Sequence, residues 1–378
     1  MRRMALATAA TATVVVTLLV GPAAAAGAAM GGTAGAAGTA RAVGAFGAAP
    51  ASASATWPSH LVLAEPARLG IGSQVIDQAT GTDFALASTN GGATSKLRRT
   101  VLSSGRVKLG PAFPVSSIGL GGGYVWVYGA QALAGDTLRF RLYQVNPSTL
   151  AVVRSRTLAS ARNAAGFMGL TPDGNGDIAV GYLRSVRIIN ARSGAIVGTI
   201  TIRRGLFVSD VSARGRFLYV AANGSAGGSV VFEYNARTLR LLASNSRRPL
   251  LFSVGGAVLT SAPGGVWVSF RTGMFGQTVL LRQHGLGFVP LPGSGTRGDL
   301  FAWVMSATTE FAGASVFLAK EGGQVGCMNP GTGRIRARGS VPALSQTGQL
   351  IGAATDGRVL YGVSPRGVIA ISPPAACG

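Results

Sequence analysis

Residues 177–202 read DIAVGYLRSVRIINARSGAIVGTITI. Ile178-Ala179-Val180, Val186-Arg187-Ile188-Ile189 and the run from Ala195 to Ile202 are short, rich in β-branched side chains and separated by turn-forming residues, Asn190 and Gly194 among them. Runs of this length and composition predict strands, and the breaks between them predict hairpins. No sustained helical period passes through the segment. Ahead of it, Gly166 to Leu170 and the polar stretch Asp173 to Gly176 supply one more strand and turn, so the unit has four strands.

The same unit recurs in both directions. Ser116 to Leu120, Gly121-Gly122-Gly123 and Tyr124-Val125-Trp126-Val127 repeat its first half, as do Val208 to Val211, Arg214-Gly215 and Phe217 to Val220. So do Ala257 to Thr260, Pro263-Gly264-Gly265 and Val266-Trp267-Val268. Val316-Phe317-Leu318, Val359-Leu360-Tyr361 and the weaker Phe84-Ala85-Leu86 mark three further copies. Third strands are visible at Leu142 to Val145, Val231 to Asn235 and Val325 to Met328, and most end in an Asn, read here as a turn former that tolerates left-handed backbone. Seven copies over residues 58–378 average ~46 residues, within the ~40–50 of a four-stranded propeller blade. The expected fold is all-β, a β-propeller of seven four-stranded blades, with six and eight as the alternative counts. The last copy stops after a third strand, Val368 to Ile371, while Leu61-Val62-Leu63 stands unpaired at the front; joining the two would close the ring and remove two sheet edges.

The stretch from Ile178 to Ile200 resembles the YVTN and quinoprotein-like repeats of secreted seven-bladed propellers, a group whose repeats are also WD40-like. The resemblance covers most of residues 58–378 and rests on strands and turns, so it implies a fold and leaves function open. Binding proteins, surface-layer proteins and enzymes all belong to that broad group.

Before residue 58 the sequence changes character. Arg2 and Arg3 precede the apolar stretch Ala5 to Val20, which is shorter than the ~20 residues of a membrane span, and Ala24-Ala25-Ala26 follow as small residues suited to cleavage. Residues 1–26 are therefore expected to be a signal peptide for general secretion, leaving a mature chain without a membrane span. Residues 27–57 are dominated by Ala, Gly, Ser and Thr and are read as a low-complexity linker, with too few large side chains to offset the entropy of ordering them. Cys327 and Cys377 are the two cysteines of the chain, and in an oxidising compartment they are expected to pair, joining the last two blades.

The formal net charge is +22, and only Lys96, Lys108 and Lys320 of the 34 cationic residues are lysine. Arginine in such excess, with abundant Ala and Gly, follows either from GC-rich coding or from an acidic polymer or acidic protein surface as partner. In a propeller the connections from fourth strand to next first strand, and from second to third strand, emerge on one face around the central channel. Arg162, Arg203, Arg204, Arg247, Arg248 and Arg297 fall in or beside the first class of connection, and Arg184, Arg271 and Arg366 in the second. These nine form a candidate anion-binding mouth, since guanidinium groups pair with phosphate, sulfate and carboxylate. The opposite face receives Asp173, Asp177 and Asp356 with Arg192, Arg214 and Arg237, a more mixed field.

Catalytic motifs are scarce. His60 and His284 are the two histidines. The propeller lyases and lactonases that the repeats resemble depend on clustered His and carboxylates, and no such cluster is legible. Asp173-Gly174-Asn175-Gly176-Asp177 opens like a calcium loop, but Ile178 replaces the required glycine and Arg184 the bidentate carboxylate. Gly293-Ser294-Gly295-Thr296-Arg297-Gly298 matches a dinucleotide fingerprint by spacing without a βαβ context. No Walker loop, Gly-x-Ser-x-Gly elbow, Ser-x-x-Lys pair or specific nucleic-acid motif occurs, and no metal or cofactor is expected. Trp126, Tyr219, Trp267, Phe317 and Tyr361 occupy equivalent places and are read as packing between blades rather than as stacking platforms for sugars. The expected function is that of a secreted, monomeric binding or scaffold module. The alternative is an extracellular lyase, lactonase or quinoprotein-type enzyme.

Overall fold

The structure is a computed structural model. It describes residues 55–64, 71–77, 79–89, 94–114, 116–134, 137–162, 168–172, 176–224, 228–246, 257–272, 275–289, 308–319, 322–344, 349–354 and 356–378. Two short strands come first, β1 (Ala55–Thr56) and β2 (Ser59–Ala64). Blade 1 is β3 (Ile71–Asp77), β4 (Thr82–Thr89), β5 (Thr94–Val101) and β6 (Arg106–Pro114); blade 2 is β7 (Ser116–Gly121), β8 (Tyr124–Leu133), β9 (Thr137–Val145) and β10 (Val152–Arg162). Blade 3 is β11 (Met168–Pro172), β12 (Asp177–Tyr182), β13 (Ser185–Asn190) and β14 (Ile196–Thr201); blade 4 is β15 (Leu206–Arg214), β16 (Phe217–Gly224), β17 (Ser229–Asn235) and β18 (Leu241–Ser244). Blade 5 is β19 (Ala257–Ala262), β20 (Gly265–Thr272), β21 (Phe275–Arg282) and β22 (Phe288–Val289); blade 6 is β23 (Thr308–Ala312), β24 (Ser315–Ala319), β25 (Gln324–Met328) and β26 (Ile335–Ser340). Blade 7 has β27 (Gln349–Ala353), β28 (Leu360–Ser364) and β29 (Gly367–Ile371), and takes β2 as its outer strand.

Each blade is an antiparallel meander, and its first strand touches the first strand of the next blade all the way round, from β3 through β7, β11, β15, β19, β23 and β27 back to β3. The ring of seven blades is closed. Its interior is divided into seven apolar wedges, one at each blade-to-blade contact. The wedge between blades 1 and 2 holds Phe84, Leu97, Phe113 and Val127, for example, and that between blades 3 and 4 holds Val186, Ile200, Val220 and Phe232. A single sheet exposes two apolar faces to water, so each blade is stable only between two neighbours.

Closure uses the early strand. Leu61 pairs with Ile369 and Leu63 with Val368, and Ser372 donates its N–H to the Pro58 carbonyl at 2.8 Å. Just upstream, Ala55 and Thr56 lie parallel to Gly339 and Ser340 of blade 6, and Trp57 is buried among Val325, Cys327 and Leu344. Position 339 has to be glycine, because a Cβ there would run into the Trp57 ring and the Ala55 carbonyl. The Ala/Gly-rich stretch thus ends in residues that pack on the ring.

Four third strands end in the same turn. Asn146, Asn190, Asn235 and Asn329 accept backbone N–H groups two or three residues on through their side-chain carbonyls. The residue four positions later donates its N–H back to the Asn carbonyl and takes the left-handed conformation: Leu150 (φ 60°), Gly194 (69°), Leu239 (55°) and Gly333 (72°). Asn therefore works as a side-chain acceptor, and the left-handed residue is not the Asn itself, as the sequence suggested.

Two residues before that Asn, three blades reach across to the following blade. Gln144 Nε2 donates to the Ala191 carbonyl at 2.7 Å, the Glu233 carboxylate accepts the His284 backbone N–H at 3.0 Å, and Cys327 is disulfide-bonded to Cys377. The same place in the repeat carries a neutral hydrogen bond, a charge-assisted one and a covalent bond. The disulfide closes a loop with a sequence separation of 50 residues, and both cysteines are buried. The chain-entropy model allows such a cross-link at most about 4 kcal/mol. Replacing both cysteines by Ser should leave the circular dichroism of the native ring unchanged at low temperature while lowering the midpoint of thermal unfolding by several degrees. An unchanged midpoint would show that the strand pairing β2–β29 suffices.

Candidate functional site

Of the nine arginines singled out in the sequence, six lie among the described residues, in or beside the connections β10–β11, β12–β13, β14–β15, β20–β21 and β28–β29. Arg203 and Arg204 lie between blades 3 and 4 and are exposed, as is Arg366 in the β28–β29 turn. Arg184, in the β12–β13 turn, bends onto the backbone, its Nη2 donating to the Ile202 carbonyl at 3.1 Å. Arg162 ends β10 and Arg271 lies in β20. Arg247, Arg248 and Arg297 fall outside the described residues. Among the described residues none of Arg184, Arg203, Arg204 and Arg366 meets a carboxylate.

On the opposite face cations and anions alternate. Asp177 accepts from Asn190 Nδ2 at 3.0 Å, Asp356 lies 3.7 Å from Arg358, and Arg214 stacks on the Phe311 ring at 4.2 Å, while Arg192 and Arg237 are exposed. Asp173, with most of the loop that resembles a calcium site, falls outside the described residues, as do Gly293 to Gly298. Among the described residues no three His, Cys, Asp or Glu side chains converge as metal ligands would.

The aromatic series sits between blades. Trp126, Tyr219, Trp267 and Phe317 are buried, and the two indoles donate to the carbonyls of Gly121 (3.0 Å) and Pro330 (3.3 Å). Rings in that position cannot stack on a ligand. The histidines sit on separate blades, His60 in β2 and His284 in the β21–β22 turn. His284 is 60% exposed and lies 3.5 Å from the wholly buried Glu233, whose carboxyl burial pushes up and the bond from His284 pulls back down.

No protein-family model matches the sequence, and no curated protein is significantly similar to it. Solved structures are. BamB from Moraxella catarrhalis aligns with 83% of this chain and 86% of its own at 14% identity and a TM-score of 0.51. A chain of the mitotic checkpoint complex aligns with 90% of this chain and 99% of its own at 11% identity and a TM-score of 0.54. The chain is a seven-bladed β-propeller. At these identities the likeness is one of fold, and it is shared by 1007 solved chains, too many to point to one activity.

Two features of the propeller escape a sequence reading. The first is a pair of carboxyls on inner strands. Asp210, at a bulge in β15, accepts the Leu259 N–H of the neighbouring inner strand at 2.7 Å and its own Val211 N–H at 2.8 Å. Ser209 and Ser212 extend the stitch to the Ala257 carbonyl and to Ser261. Glu310, on β23, has no hydrogen bond or ion pair from the described residues. Burial raises both carboxyls to about 7, and the two N–H bonds to Asp210 offset only part of its cost.

The second is where the cations gather. Arg106 and Lys108 of β6, Arg139 and Arg141 of β9, and Arg154 and Arg156 of β10 are alternate-residue pairs on the outer strands of blades 1 and 2. β9 and β10 are paired within blade 2, β6 is the outer strand of the blade before it, and Arg154, whose Nη1 donates to the Ser193 carbonyl, faces blade 3.

The raised carboxyls carry a stability consequence. An acid whose folded pKa lies above its unfolded value binds protons more tightly when folded, so its contribution falls as pH rises from about 4 to about 7 and is constant above. Glu310→Gln should therefore unfold at higher denaturant than the parent at pH 8, by on the order of 2 kcal/mol, and at the same denaturant at pH 4. A gain equal at both pH values would assign the effect to packing.

Proposed function

We propose that this propeller is an exported binding module whose mouth face receives an acidic partner. The observation that carries the reading is the run of exposed guanidiniums at Arg203, Arg204 and Arg366, which have no carboxylate beside them among the described residues, while the opposite face mixes both signs. Uncompensated cations on one face raise the local concentration of an anionic partner and orient it. The net charge of +22 acts in the same direction. Export is supported by the basic head, apolar stretch and small residues of positions 1–26, and by a buried disulfide, which suits an oxidising compartment. A rigid ring presenting loops serves recognition with little ordering cost.

The test compares two pairs. Replacing Arg203 and Arg204 by Ala should weaken binding of fluorescent heparin at low salt roughly fivefold or more, and the loss should shrink as salt rises. Arg192→Ala with Arg237→Ala, on the opposite face, should change it less than twofold. Equal losses would reduce recognition to net charge, and no binding at low salt would end the reading.

A further inference from the structure

We propose that the outer rim of blades 1–4, on the face opposite the mouth, is a docking surface for an anionic lipid bilayer. The proposal is independent of the mouth reading and concerns another surface. It starts from where apolar side chains remain in water. Among the described residues ten large hydrophobics are exposed, and six of them fall at two adjacent places of the repeat. These are Val107 in blade 1, Val152 and Val153 in blade 2, Val197 in blade 3, and Leu241 and Leu242 in blade 4, each 42–57% exposed. They stand six or seven residues after the carbonyl that closes the turn between third and fourth strand, that of Val101, Asn146, Asn190 or Asn235. Single exposed apolar residues are ordinary on a protein surface, but the same exposure at one place in four consecutive blades is a surface feature.

Neighbouring segments of this rim are joined. Lys108 Nζ of blade 1 donates to the Ser148 carbonyl in the turn of blade 2 at 3.2 Å, and Arg154 Nη1 of blade 2 donates to the Ser193 carbonyl in the turn of blade 3. Leu150 of blade 2 lies against Gly110 of blade 1, and Leu239 of blade 4 against Gly198 of blade 3, each at the place where a Cβ would meet it. The turns are closed by their own backbone hydrogen bonds, so this border is held before any ligand arrives. Blades of a propeller repeat around one axis, and residues at one place of the repeat therefore share one height along it and lie on an arc of one plane. A planar partner can touch all four blades at once.

The charge beside these residues fits the same partner. Arg106 and Lys108 flank Val107, Arg156 follows Val153 along β10, Arg192 and Arg237 occupy the turns of blades 3 and 4, and Arg240 precedes Leu241; all six are exposed. Among the described residues none of them meets a carboxylate. The acids of this face stand elsewhere, since Asp77, Asp177 and Asp356 belong to turns between first and second strands, which lie nearer the axis. The mixture of signs on this face is thus sorted by radius, its acids inside and its rim cationic and apolar. Val and Leu side chains reach the boundary between headgroups and acyl chains, while the guanidinium and ammonium groups beside them pair with lipid phosphates. A soluble polyanion answers the cations and leaves the apolar members in water. A bilayer with anionic headgroups answers both.

The experiment floats the full chain with vesicles of phosphatidylcholine, alone or mixed equally with phosphatidylglycerol, and compares variants so that any contribution of residues 1–54 is common to all. The anionic vesicles should bind the parent chain roughly tenfold or more tightly than the neutral ones. Val197→Ser with Leu242→Ser keeps the net charge and should weaken binding to anionic vesicles roughly fivefold or more, at high salt as at low, because the loss is apolar. Arg106→Ala with Arg240→Ala should weaken it roughly tenfold or more at low salt, a loss that shrinks as salt rises. All four side chains are exposed, and the unfolding midpoint serves as control. Arg203→Ala with Arg204→Ala should change vesicle binding less than about twofold, and the Ser pair should leave heparin binding unchanged. Failure of anionic vesicles to bind, or an unchanged affinity in the Ser pair, would overturn this proposal and leave the mouth reading standing. A larger loss from the mouth pair than from the rim arginines would overturn the placement on the rim. Self-association that the Ser pair abolishes, with no vesicle binding, would overturn the bilayer in favour of a second copy of this chain.

Discussion

Everything in this molecule depends on closing the ring. No blade has a core of its own; its two faces are buried only because a neighbour stands on either side, and the seven apolar wedges exist only while all seven blades are in place. Blade 7 lacks an outer strand from its own end of the chain, so β2 must come back from the front of the ring to complete it. This strand exchange joins the first described segment to the last through backbone hydrogen bonds. It converts a row of sheets with two exposed ends into a structure without them.

The junction of blades 6 and 7 is reinforced accordingly. β1 lies along the outer edge of blade 6, Trp57 fills the wedge beneath it, and the Cys327–Cys377 bond ties the chain end to the third strand of blade 6. Arg336 and Ser315 add hydrogen bonds around the Cys377 carbonyl. Elsewhere in the ring the same position of the third strand is satisfied by Gln144 or Glu233, where the following blade supplies a turn to receive it. In blade 7 the chain runs free after β29 instead of turning into a fourth strand, and there a covalent bond takes the place of the hydrogen bond. In blades 2, 4 and 6 that position ties one blade to the next, and in blade 3 it is Ile188, packed in the apolar wedge toward blade 4.

Because the wedges are apolar, charge is driven to the faces and the outer rim. The few carboxylates described are mostly withdrawn from that surface: Asp83 and Glu233 are wholly buried, Asp210 is engaged by backbone N–H groups of two inner strands, and Glu310 is raised by burial. What remains outside is largely arginine. The protein therefore meets its surroundings as a cation whose details are local: among the described residues Arg203, Arg204 and Arg366 have no carboxylate beside them, Asp356 lies beside Arg358, and cations recur at alternate positions of β6, β9 and β10.

Strand composition and turn residues determined the architecture without help from the structure. Short β-branched runs recurring every ~46 residues admit few other folds, and an orphan strand at each end of the repeat array implies closure. The aromatic stripe was legible because its place recurs from copy to copy, and the cysteine pair because the chain has two cysteines and its leading residues read as an export signal. Tertiary structure alone decided which charges matter together. Lys108 and Ser148 are far apart in the sequence and meet because blades 1 and 2 stand side by side, and Asp210 reaches Leu259 because a bulge in β15 turns it toward the next inner strand. Local pattern specifies strands, since their period is set by the backbone. Which side chains share a wedge depends on how whole blades pack, and that information is not carried by any single segment.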